Sequence, residues 1–410
     1  MTIESKLPEQ EVDLEYALAA AIGLHQKGEI GEAEAIYQAI LSAYPQCPEA
    51  LHFYGFLNHQ KGDHETAIRL IEQALVEAPD YWDAYNNLGN IFVDLEQFER
   101  AISAYDKALS LNSNNPAPYS NLGLAYKKLG NFDKAAAAYA QALYHLPYDP
   151  KRYQDLCRVL YLQGKTEEAI PLIKQWLEYD PHNPLALHHW SAYTNDSSLP
   201  RASDDYICRT FDSFSSSFDA VLQRLDYKAP FWVADAVKEA FDTAGHPFNI
   251  LDAGCGTGLC GPLIKDYARR VTGVDLSAKM LEKAEQRDCY DELHQAELTA
   301  FIGAHSASYD VIVSADTLVY FGDLSEVTQA ANQALLPEGH FIFTVERSDQ
   351  PLSQGFSIHP HGRFSHSEDY VRQVIQSAGL IVKKLEQVML RYEKGNEVGG
   401  FLVMAFKPVR

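Results

Sequence analysis

The residues best suited to chemistry form a short loop between two predicted strands. An apolar strand at 248–251 is followed by Asp252, and then by Gly254, Gly256 and Gly258 at every second position. Glycines let the backbone turn tightly and let a ligand approach without meeting a Cβ atom. The helix predicted directly after the loop would point its free N–H groups toward that ligand. The loop is therefore predicted to bind a nucleotide.

A second acid follows the next predicted strand. Asp275 comes directly after strand 271–274, and an acid in this position accepts hydrogen bonds from both hydroxyls of a ribose. A dinucleotide-binding loop would read G-x-G-x-x-G, which differs from the spacing here. The diphosphate of such a cofactor would also be repelled by the carboxylate of Asp252, whereas an ammonium group would be attracted. S-adenosylmethionine (SAM) carries an ammonium group at its methionyl end and is the preferred ligand.

The run LDAGCGTG at 251–258 resembles the first motif of class I SAM-dependent methyltransferases. The resemblance implies a Rossmann-like domain whose seven-stranded sheet has its last strand inserted antiparallel. The remaining strand candidates lie at 290–295, 311–314, 341–345, 381–388 and 401–406.

The resemblance also implies where the cofactor lies. It places Glu297 against the adenine amino group, a position where many relatives carry Asp. The residues assigned to the cofactor are Asp252, Gly254, Gly256, Gly258, Asp275, Leu276, Glu297, Leu298 and Asp316.

A helical segment precedes the glycine loop. Phe211, Phe214 and Phe218 recur at three and four residues, so they are predicted to face one side of a helix. In methyltransferases of this sort, a helical N-terminal extension often closes over the cofactor. We therefore expect one of these rings, or Tyr227, to touch the cofactor or the acceptor. The alternative is that they form only a stripe of the core.

The reaction implied by the resemblance needs little from the protein beyond position. The methyl group of SAM is already activated, so the enzyme must place a nucleophile in line and exclude water. A base is needed only if the acceptor carries a proton. The candidate bases are His359, His361 and His366, in a loop predicted at 356–367, and Tyr320. In the same loop, Arg363 is a candidate to hold an acidic acceptor, and the histidines have exposed or capping roles as the alternative.

The elements that precede this domain are repeats of 34 residues. A proline recurs once per repeat, with an alanine twelve positions before it: Pro45, Pro79, Pro147 and Pro181. Ser113 replaces the proline of the third repeat. The period and the helical spacing of apolar residues resemble the tetratricopeptide repeat (TPR). Five units follow one another, at 14–47, 48–81, 82–115, 116–149 and 150–183.

Repeats of this kind stack into a superhelix with a concave groove that binds peptides or other proteins. Asn86, Asn87, Asn90 and Asn121 are predicted to lie in the groove, where their amides would bind an extended peptide backbone. The alternative is that these side chains only cap or solvate the helices.

Composition limits the partners. The net charge of −22 disfavours nucleic acid and anionic membrane surfaces. The six cysteines are scattered and form no CxxC pair, so reduced thiols in the cytoplasm are expected and a zinc cluster is not. The neighbouring His188 and His189 lack a carboxylate or cysteine at metal spacing, and no metal is predicted. No apolar run approaches the ~20 residues of a membrane span, and the acidic start lacks the apolar region of a signal peptide.

The predicted fold is an N-terminal all-α TPR superhelix followed by a Rossmann-like, seven-stranded class I methyltransferase domain. The domains are a tail at 1–13, five TPR repeats at 14–183, a capping helix and linker at 184–204, a helical cap at 205–245 and the SAM-dependent domain at 246–410. More narrowly, the chain resembles bacterial predicted TPR methyltransferases. The segments that carry this resemblance are FDSFSSSFDAVLQRLDYKAP, LDAGCGTGLCG, SADTLVYFGDL and GRFSHSEDYV.

This resemblance implies methyl transfer from SAM to an unidentified acceptor, with the repeats recruiting a protein substrate or partner. One alternative is a small-molecule methyltransferase whose repeats serve oligomerisation or localisation. Another is a scaffold that retains the SAM-binding fold without catalysis.

Overall fold

A computed structural model describes residues 14–196, 198–393 and 395–409. The tail predicted at 1–13 lies outside the described residues. The chain divides into two compact units, one ending at Lys165 and the other beginning at Thr166.

From residue 14 onward, the first unit consists of helices joined by short turns. Their bounds are α1 Leu14–Gln26, α2 Ile30–Ala43, α3 Pro48–Gln60, α4 His64–Glu77, α5 Trp82–Asp94, α6 Phe98–Leu111, α7 Pro116–Lys128, α8 Phe132–His145 and α9 Pro150–Leu162. Helices α2, α4 and α8 each end two residues before the proline of their repeat. This agrees with the inability of proline to continue a helix.

Glycine allows the two helices of a repeat to approach closely. A Cβ atom at Gly89 would lie 2.4 Å from Cε1 of Tyr105, and one at Gly123 would lie 2.6 Å from Cε1 of Tyr139. The two helices of each of these repeats therefore cross closely at the glycine. The turn between the two helices has a left-handed residue, which is Gly130 in the fourth repeat but Glu96, with φ 57°, in the third.

Five helices lie before the sheet of the second unit. Their bounds are α10 Thr166–Tyr179, α11 Pro184–Thr194, α12 Asp204–Phe214, α13 Phe218–Arg224 and α14 Ala229–Ala244. The second helix of the fifth predicted repeat, α10, thus belongs to the second unit.

The prediction that one helix carries all three phenylalanines is wrong. The chain turns between α12 and α13 at 215–217, so Phe211 and Phe214 lie on α12 and Phe218 lies on α13. Hydroxyls of Ser215 and Ser217 donate to backbone carbonyls three residues earlier. Serine side chains that bond to the local backbone favour such turns over a continuous helix.

The strands of the second unit form one sheet. Their bounds are β1 Phe248–Ala253, β2 Ala268–Asp275, β3 Glu292–Gln295, β4 Tyr309–Ser314, β5 Leu335–Arg347, β6 Phe356–Ile358, β7 Phe364–His366, β8 Ile381–Glu393 and β9 Asn396–Phe406. The intervening helices are α15 Gly261–Ile264, α16 Ala278–Glu285, α17 Leu298–Gly303, α18 Ser325–Ala334 and α19 Glu368–Ser377. Among the described residues, no helix is long and apolar enough to cross a membrane.

The seven long strands follow the order β3-β2-β1-β4-β5-β9-β8, in which β9 is antiparallel to both of its neighbours. This confirms the predicted sheet with its last strand inserted antiparallel. The loop predicted at 356–367 is wrong, because it contains the hairpin β6–β7. Strand β7 pairs with the end of β5 at Glu346 and Arg347. Apolar and polar residues alternate in β6, which reads Phe-Ser-Ile, and this is the strand period.

Both faces of the sheet are buried. Leu251, Ile312 and Phe343 belong to one apolar cluster, and Ile250 and Val313 belong to another that includes α14. Neighbouring β1 and β4 mark the point where strand order reverses, and ligands of such sheets bind outside the carboxyl ends there.

Candidate active site

Asp275 connects the end of β2 to the glycine loop. Its Oδ2 accepts a hydrogen bond from the backbone N–H of Gly256 at 2.9 Å, and its Oδ1 accepts one from Ser277 at the same distance. Burial raises the pKa of Asp275, and these backbone N–H groups oppose that rise. The acid and the loop that the sequence singled out are therefore brought together, and the carboxylate is fixed beside the loop.

The glycine loop is tightly packed at one end and open in the middle. A Cβ atom at Gly254, where φ is 78°, would lie 2.3 Å from Cγ2 of Thr317. A Cβ atom at Gly256, where φ is 55°, would have no heavy atom within 4 Å. The loop is thus held against the end of β4 and leaves space beside Gly256.

Asp252 lies in β1 just before this loop and is 1% exposed. Its Oδ2 accepts a hydrogen bond from the hydroxyl of Tyr290 at 2.7 Å. Burial raises the pKa of Asp252 to about 7. A cation bound here would restore the charged carboxylate. The third strand, predicted from Tyr290, begins at Glu292, so Tyr290 is left in the preceding turn where its hydroxyl reaches Asp252.

Two acids join the cap helices to this region. Asp212 on α12 accepts a hydrogen bond from the Ser277 hydroxyl at 2.5 Å. Asp219 on α13 accepts one from the Thr257 hydroxyl at 2.5 Å and pairs with Arg287. Sequence reasoning singled out the phenylalanines and missed these acids, although each acid directly follows one of those rings.

The cap aromatics contact one another, and Phe211 and Tyr227 also contact the segment after β4. The ring of Phe211 lies 5.4 Å from that of Tyr320 and 6.0 Å from that of Phe218. Phe214 contacts Phe218 at 5.4 Å. The hydroxyl of Tyr227 donates to the carbonyl of Ala315 at 3.4 Å. These rings form an aromatic wall next to Asp316.

A buried cluster of charges adjoins that wall. Arg391 donates to Asp316 Oδ2 at 2.5 Å, to Glu393 at 2.7 Å and to Glu346. Arg363 donates to Glu346 and Glu393, both at 2.5 Å. Burial opposes ionisation of Glu346, but Arg363 and Arg391 lower its pKa to about 2. The guanidinium of Arg363, a candidate to hold an acidic acceptor, is therefore already paired with two carboxylates.

Family models match both parts of the chain. A family model described as a methyltransferase domain matches residues 251–343. Models of tetratricopeptide repeats match residues 24–91, 89–130 and 116–183, the last being described as YpiA-like, C-terminal repeats. The chain combines tetratricopeptide repeats with a methyltransferase domain.

Curated relatives of the methyltransferase domain are bacterial. Malonyl-[acyl-carrier protein] O-methyltransferase of Enterobacter lignolyticus is 34% identical over 25% of this chain and 40% of its own length. Putative methyltransferase YqeM of Bacillus subtilis is 27% identical over 41% of this chain and 66% of its own length. Ubiquinone biosynthesis O-methyltransferase of Pectobacterium atrosepticum is 31% identical over 24% of this chain and 44% of its own length. The chain thus spans between 40% and 66% of these relatives.

Solved structures resemble the TPR repeats. The crystal structure of MamA is 27% identical, covers 39% of this chain and 94% of its own, and has a TM-score of 0.37. A thermophilic TPR protein of Thermus thermophilus is 23% identical, and the match covers 44% of this chain and 99% of that protein with a TM-score of 0.36.

The histidine candidates for the base lie in the β6–β7 hairpin, whereas Tyr320 follows β4. His366 is buried, its Nε2 donates to the carbonyl of Gly322 at 3.1 Å, and burial lowers its pKa to about 4. His359 shares a hydrogen bond with the Ser365 hydroxyl at 2.7 Å. Burial, with a smaller effect of the Arg363 charge, lowers the pKa of His361 to about 3.

The remaining cofactor candidates follow β2 and β3. Glu297 caps α17, because its Oε2 accepts a hydrogen bond from Ala300 at 2.7 Å. Leu298 is buried in the core. The carbonyl of Leu276 accepts a hydrogen bond from Gln295 at 3.1 Å. These residues lie at the same carboxyl edge of the sheet as Asp275.

The TPR asparagines form a network within the first unit. Asn121 donates to Oδ1 of both Asn86 and Asn90 at 3.0 Å. Asn87 shares a hydrogen bond with Nε2 of His52 at 2.8 Å. The network connects α7 to α5 and α5 to α3, so these amides already hold consecutive repeats together.

Proposed function

We propose that this chain is a SAM-dependent methyltransferase whose TPR repeats recruit a protein substrate or partner. The observation that carries the proposal is the open space at Gly256 beside a carboxylate fixed at the end of β2. A side chain at this glycine would occupy the space that a nucleoside needs.

The residues around that space suit the parts of SAM. Asp275 would accept hydrogen bonds from the ribose, since each of its oxygens has one backbone donor and capacity for another. Asp252 would pair with the methionyl ammonium. Glu297 would face the adenine amino group, as the family resemblance implies. The cofactor supplies a methyl group activated by its positive sulfur.

The cap helices α12 and α13 would close the cofactor site. Asp212 and Asp219 hold α12 and α13 over the loop, and the aromatic rings on these helices exclude water from the space between loop and β4. Exclusion of water strengthens the pairing of Asp252 with a cation and prevents hydrolysis. Two relatives are named O-methyltransferases, so oxygen is the first acceptor atom to test.

Isothermal titration of the full chain with SAM tests cofactor binding. We expect one site per chain, and an absence of heat at high protein concentration would favour the scaffold alternative. Labelling of a cell lysate with tritiated SAM then separates a protein acceptor from a metabolite. Label on protein supports the recruitment of a protein substrate by the repeats.

A truncation tests the repeats themselves. It should begin at Thr166 and keep α10 and α11, because His188 on α11 donates to the carbonyl of Gly362 in the hairpin at 2.8 Å. Full kcat/KM of the truncated chain on the true acceptor would contradict substrate recruitment. A cytoplasmic location belongs to the same proposal and is supported by the six cysteines, which are thiols rather than disulfides.

A further inference from the structure

One oxygen of Asp316 is buried without a partner. Its Oδ1 is shielded from solvent and accepts no hydrogen bond from any described residue. A buried carboxylate oxygen that accepts no hydrogen bond is costly, so such an atom in a native site calls for an explanation. A ligand that donates a hydrogen bond would satisfy it.

The rest of Asp316 is held in place. Arg391, whose side chain is 3% exposed, donates to Oδ2. The backbone N–H of Asp316 donates to the hydroxyl of Thr344 at 2.8 Å. The residue also has φ 58°, a left-handed conformation that costs free energy for any residue with a Cβ atom. These restraints fix the direction of Oδ1.

The surrounding charges do not suit an anion. Both guanidinium groups of the cluster are engaged by carboxylates, and the three carboxylates of Asp316, Glu346 and Glu393 exceed them by one negative charge. Burial raises the pKa of Tyr320 to about 12, so this neighbour is neutral. An acceptor with a carboxylate would therefore meet a net negative charge, with both guanidinium groups already paired with carboxylates.

The position of Asp316 is next to the proposed cofactor site. It follows β4, which pairs with β1 so that Val313 lies opposite Asp252. Tyr227 lies beside Asp316, since its hydroxyl reaches the carbonyl of Ala315. Burial raises the pKa of Tyr227, and the charges of Asp316 and Asp252 add to that rise. Asp316 and the aromatic wall thus border the side of this site that faces β4 and β5.

We propose that the methyl acceptor offers an O–H or N–H hydrogen to Oδ1 of Asp316, in a pocket walled by Phe211, Tyr227 and Tyr320. This inference rests on the proposed function. As the acceptor atom bonds to the methyl carbon, the carbon–sulfur bond breaks, its electron pair stays on sulfur, and the acceptor proton passes to Oδ1. Asp316 is thus a catalytic residue, and Arg391 positions it.

Three probes with the same ring test the head group that the site accepts. Benzylamine, benzyl alcohol and benzoate are titrated into the full chain saturated with S-adenosylhomocysteine, and binding is followed by ligand-detected NMR. We expect the amine or the alcohol to bind at least tenfold more tightly than benzoate, and the comparison of these two shows which donor is preferred.

The variant Asp316→Asn tests whether Asp316 binds the donor group of the probe. Its amide can keep the contact with Arg391 but places a donor where Oδ1 was, so we expect the preferred probe to lose at least tenfold in affinity. Glu397→Gln is the matched control, because this acid is exposed and bonded to Tyr392. S-adenosylhomocysteine should bind both variants as it binds the wild type, which also verifies folding.

The outcomes separate the two proposals. Failure of the wild type to bind S-adenosylhomocysteine would overturn the proposed function. With that binding intact, the inference is overturned by benzoate binding as tightly as the donors, by no binding of either donor, or by unchanged affinity in Asp316→Asn. Loss of S-adenosylhomocysteine affinity in Asp316→Asn would instead assign Asp316 to the cofactor.

Discussion

The backbone N–H of Gly256 donates a hydrogen bond to Oδ2 of Asp275 at 2.9 Å. This bond joins the middle of the glycine loop to the end of β2, where a nucleoside would meet both. Asp275 is thus predicted to act twice, since it shapes the loop and it binds the sugar. A change at this residue should therefore weaken the binding of the cofactor.

Replacement of Asp275 by Ala should weaken SAM binding by about 1–3 kcal/mol, because the hydrogen bonds to the ribose are lost. Isothermal titration measures the change. Asp266→Ala on an exposed turn is the control and should bind SAM as the wild type does. Affinity within twofold of the wild type in Asp275→Ala would show that the sugar is bound elsewhere.

Gly256→Val should fold and fail to bind SAM. The new side chain meets no protein atom at its Cβ, so it fills the space proposed for the cofactor. Its backbone strain at φ 55° should cost about 1–2 kcal/mol of stability. Gly395→Val carries the same kind of strain, with φ 78° and open space around it, in the turn between β8 and β9.

Thermal unfolding and SAM titration of the two valine variants separate strain from steric block. Both should lose similar stability, and only Gly256→Val should lose SAM. Retained affinity in Gly256→Val would show that the loop does not border the cofactor. Gly254→Ala should behave differently, because its Cβ would overlap Thr317 and the fold itself would be destabilised.

Binding of SAM should weaken as the pH falls below about 7. The Asp252 carboxyl has a pKa raised by burial to about 7, and only its ionised form attracts an ammonium group. Below this pH, binding must release a proton, so the apparent Kd should rise up to about tenfold per pH unit. Titrations in buffers of different ionisation enthalpy measure the proton release. Asp252→Asn should bind weakly with no such pH dependence, and an unchanged Kd of the wild type between pH 8 and pH 6 would contradict the pairing.

Short sequence motifs predicted the glycine loop and its acids but not the charged cluster around Arg391. Gly254, Gly256, Gly258 and the two acids at the ends of β1 and β2 are recognisable because each lies within a few residues of the end of a predicted strand. The cluster around Arg391 is different. Arg391 and Asp316 lie 75 positions apart and meet only because β8 reaches the core through β9. No spacing in one sequence reveals such a pair.

The fold shows the same division. Seven of the strands were predictable from the sequence, whereas β6 and β7 have three residues each and were predicted as a loop. Their pairing depends on the far end of β5, which is a tertiary contact. The break at Ser215 was visible in the sequence as three consecutive serines but was outweighed by the spacing of the phenylalanines.

Acid should destabilise the second unit through buried histidines. Burial lowers the pKa of His188 to about 4 from an ordinary value of 6.5. Between these values the unfolded chain binds a proton that the folded chain does not, so the free energy of unfolding falls by about 1.4 kcal/mol per pH unit. Asp252 has the opposite sign, since its raised pKa favours the folded state as the pH falls.

The variant His188→Gln isolates the histidine, because its amide can still donate to the carbonyl of Gly362. Hydrogen exchange of peptides from α11 and the hairpin, at pH 7.5 and pH 5.5, measures the local free energy of opening. The wild type should lose about 1 kcal/mol more than the variant over this interval. Equal losses would show that His188 is protonated in the folded protein.

The turn of the third repeat offers a stabilising change. Glu96 has φ 57° at the position where the fourth repeat has Gly130, with φ 73°. A left-handed residue with a Cβ atom costs about 1–2 kcal/mol of stability, and replacing it by glycine removes this cost. Part of the benefit is lost, because glycine has greater freedom in the unfolded chain. Glu96→Gly should therefore raise the free energy of unfolding by about 0.5–1 kcal/mol. Glu96→Ala keeps the strain and removes the exposed carboxylate, so it should leave stability nearly unchanged. Urea unfolding followed by helical circular dichroism compares the three proteins, and a less stable Glu96→Gly would mean that the left-handed turn is not strained.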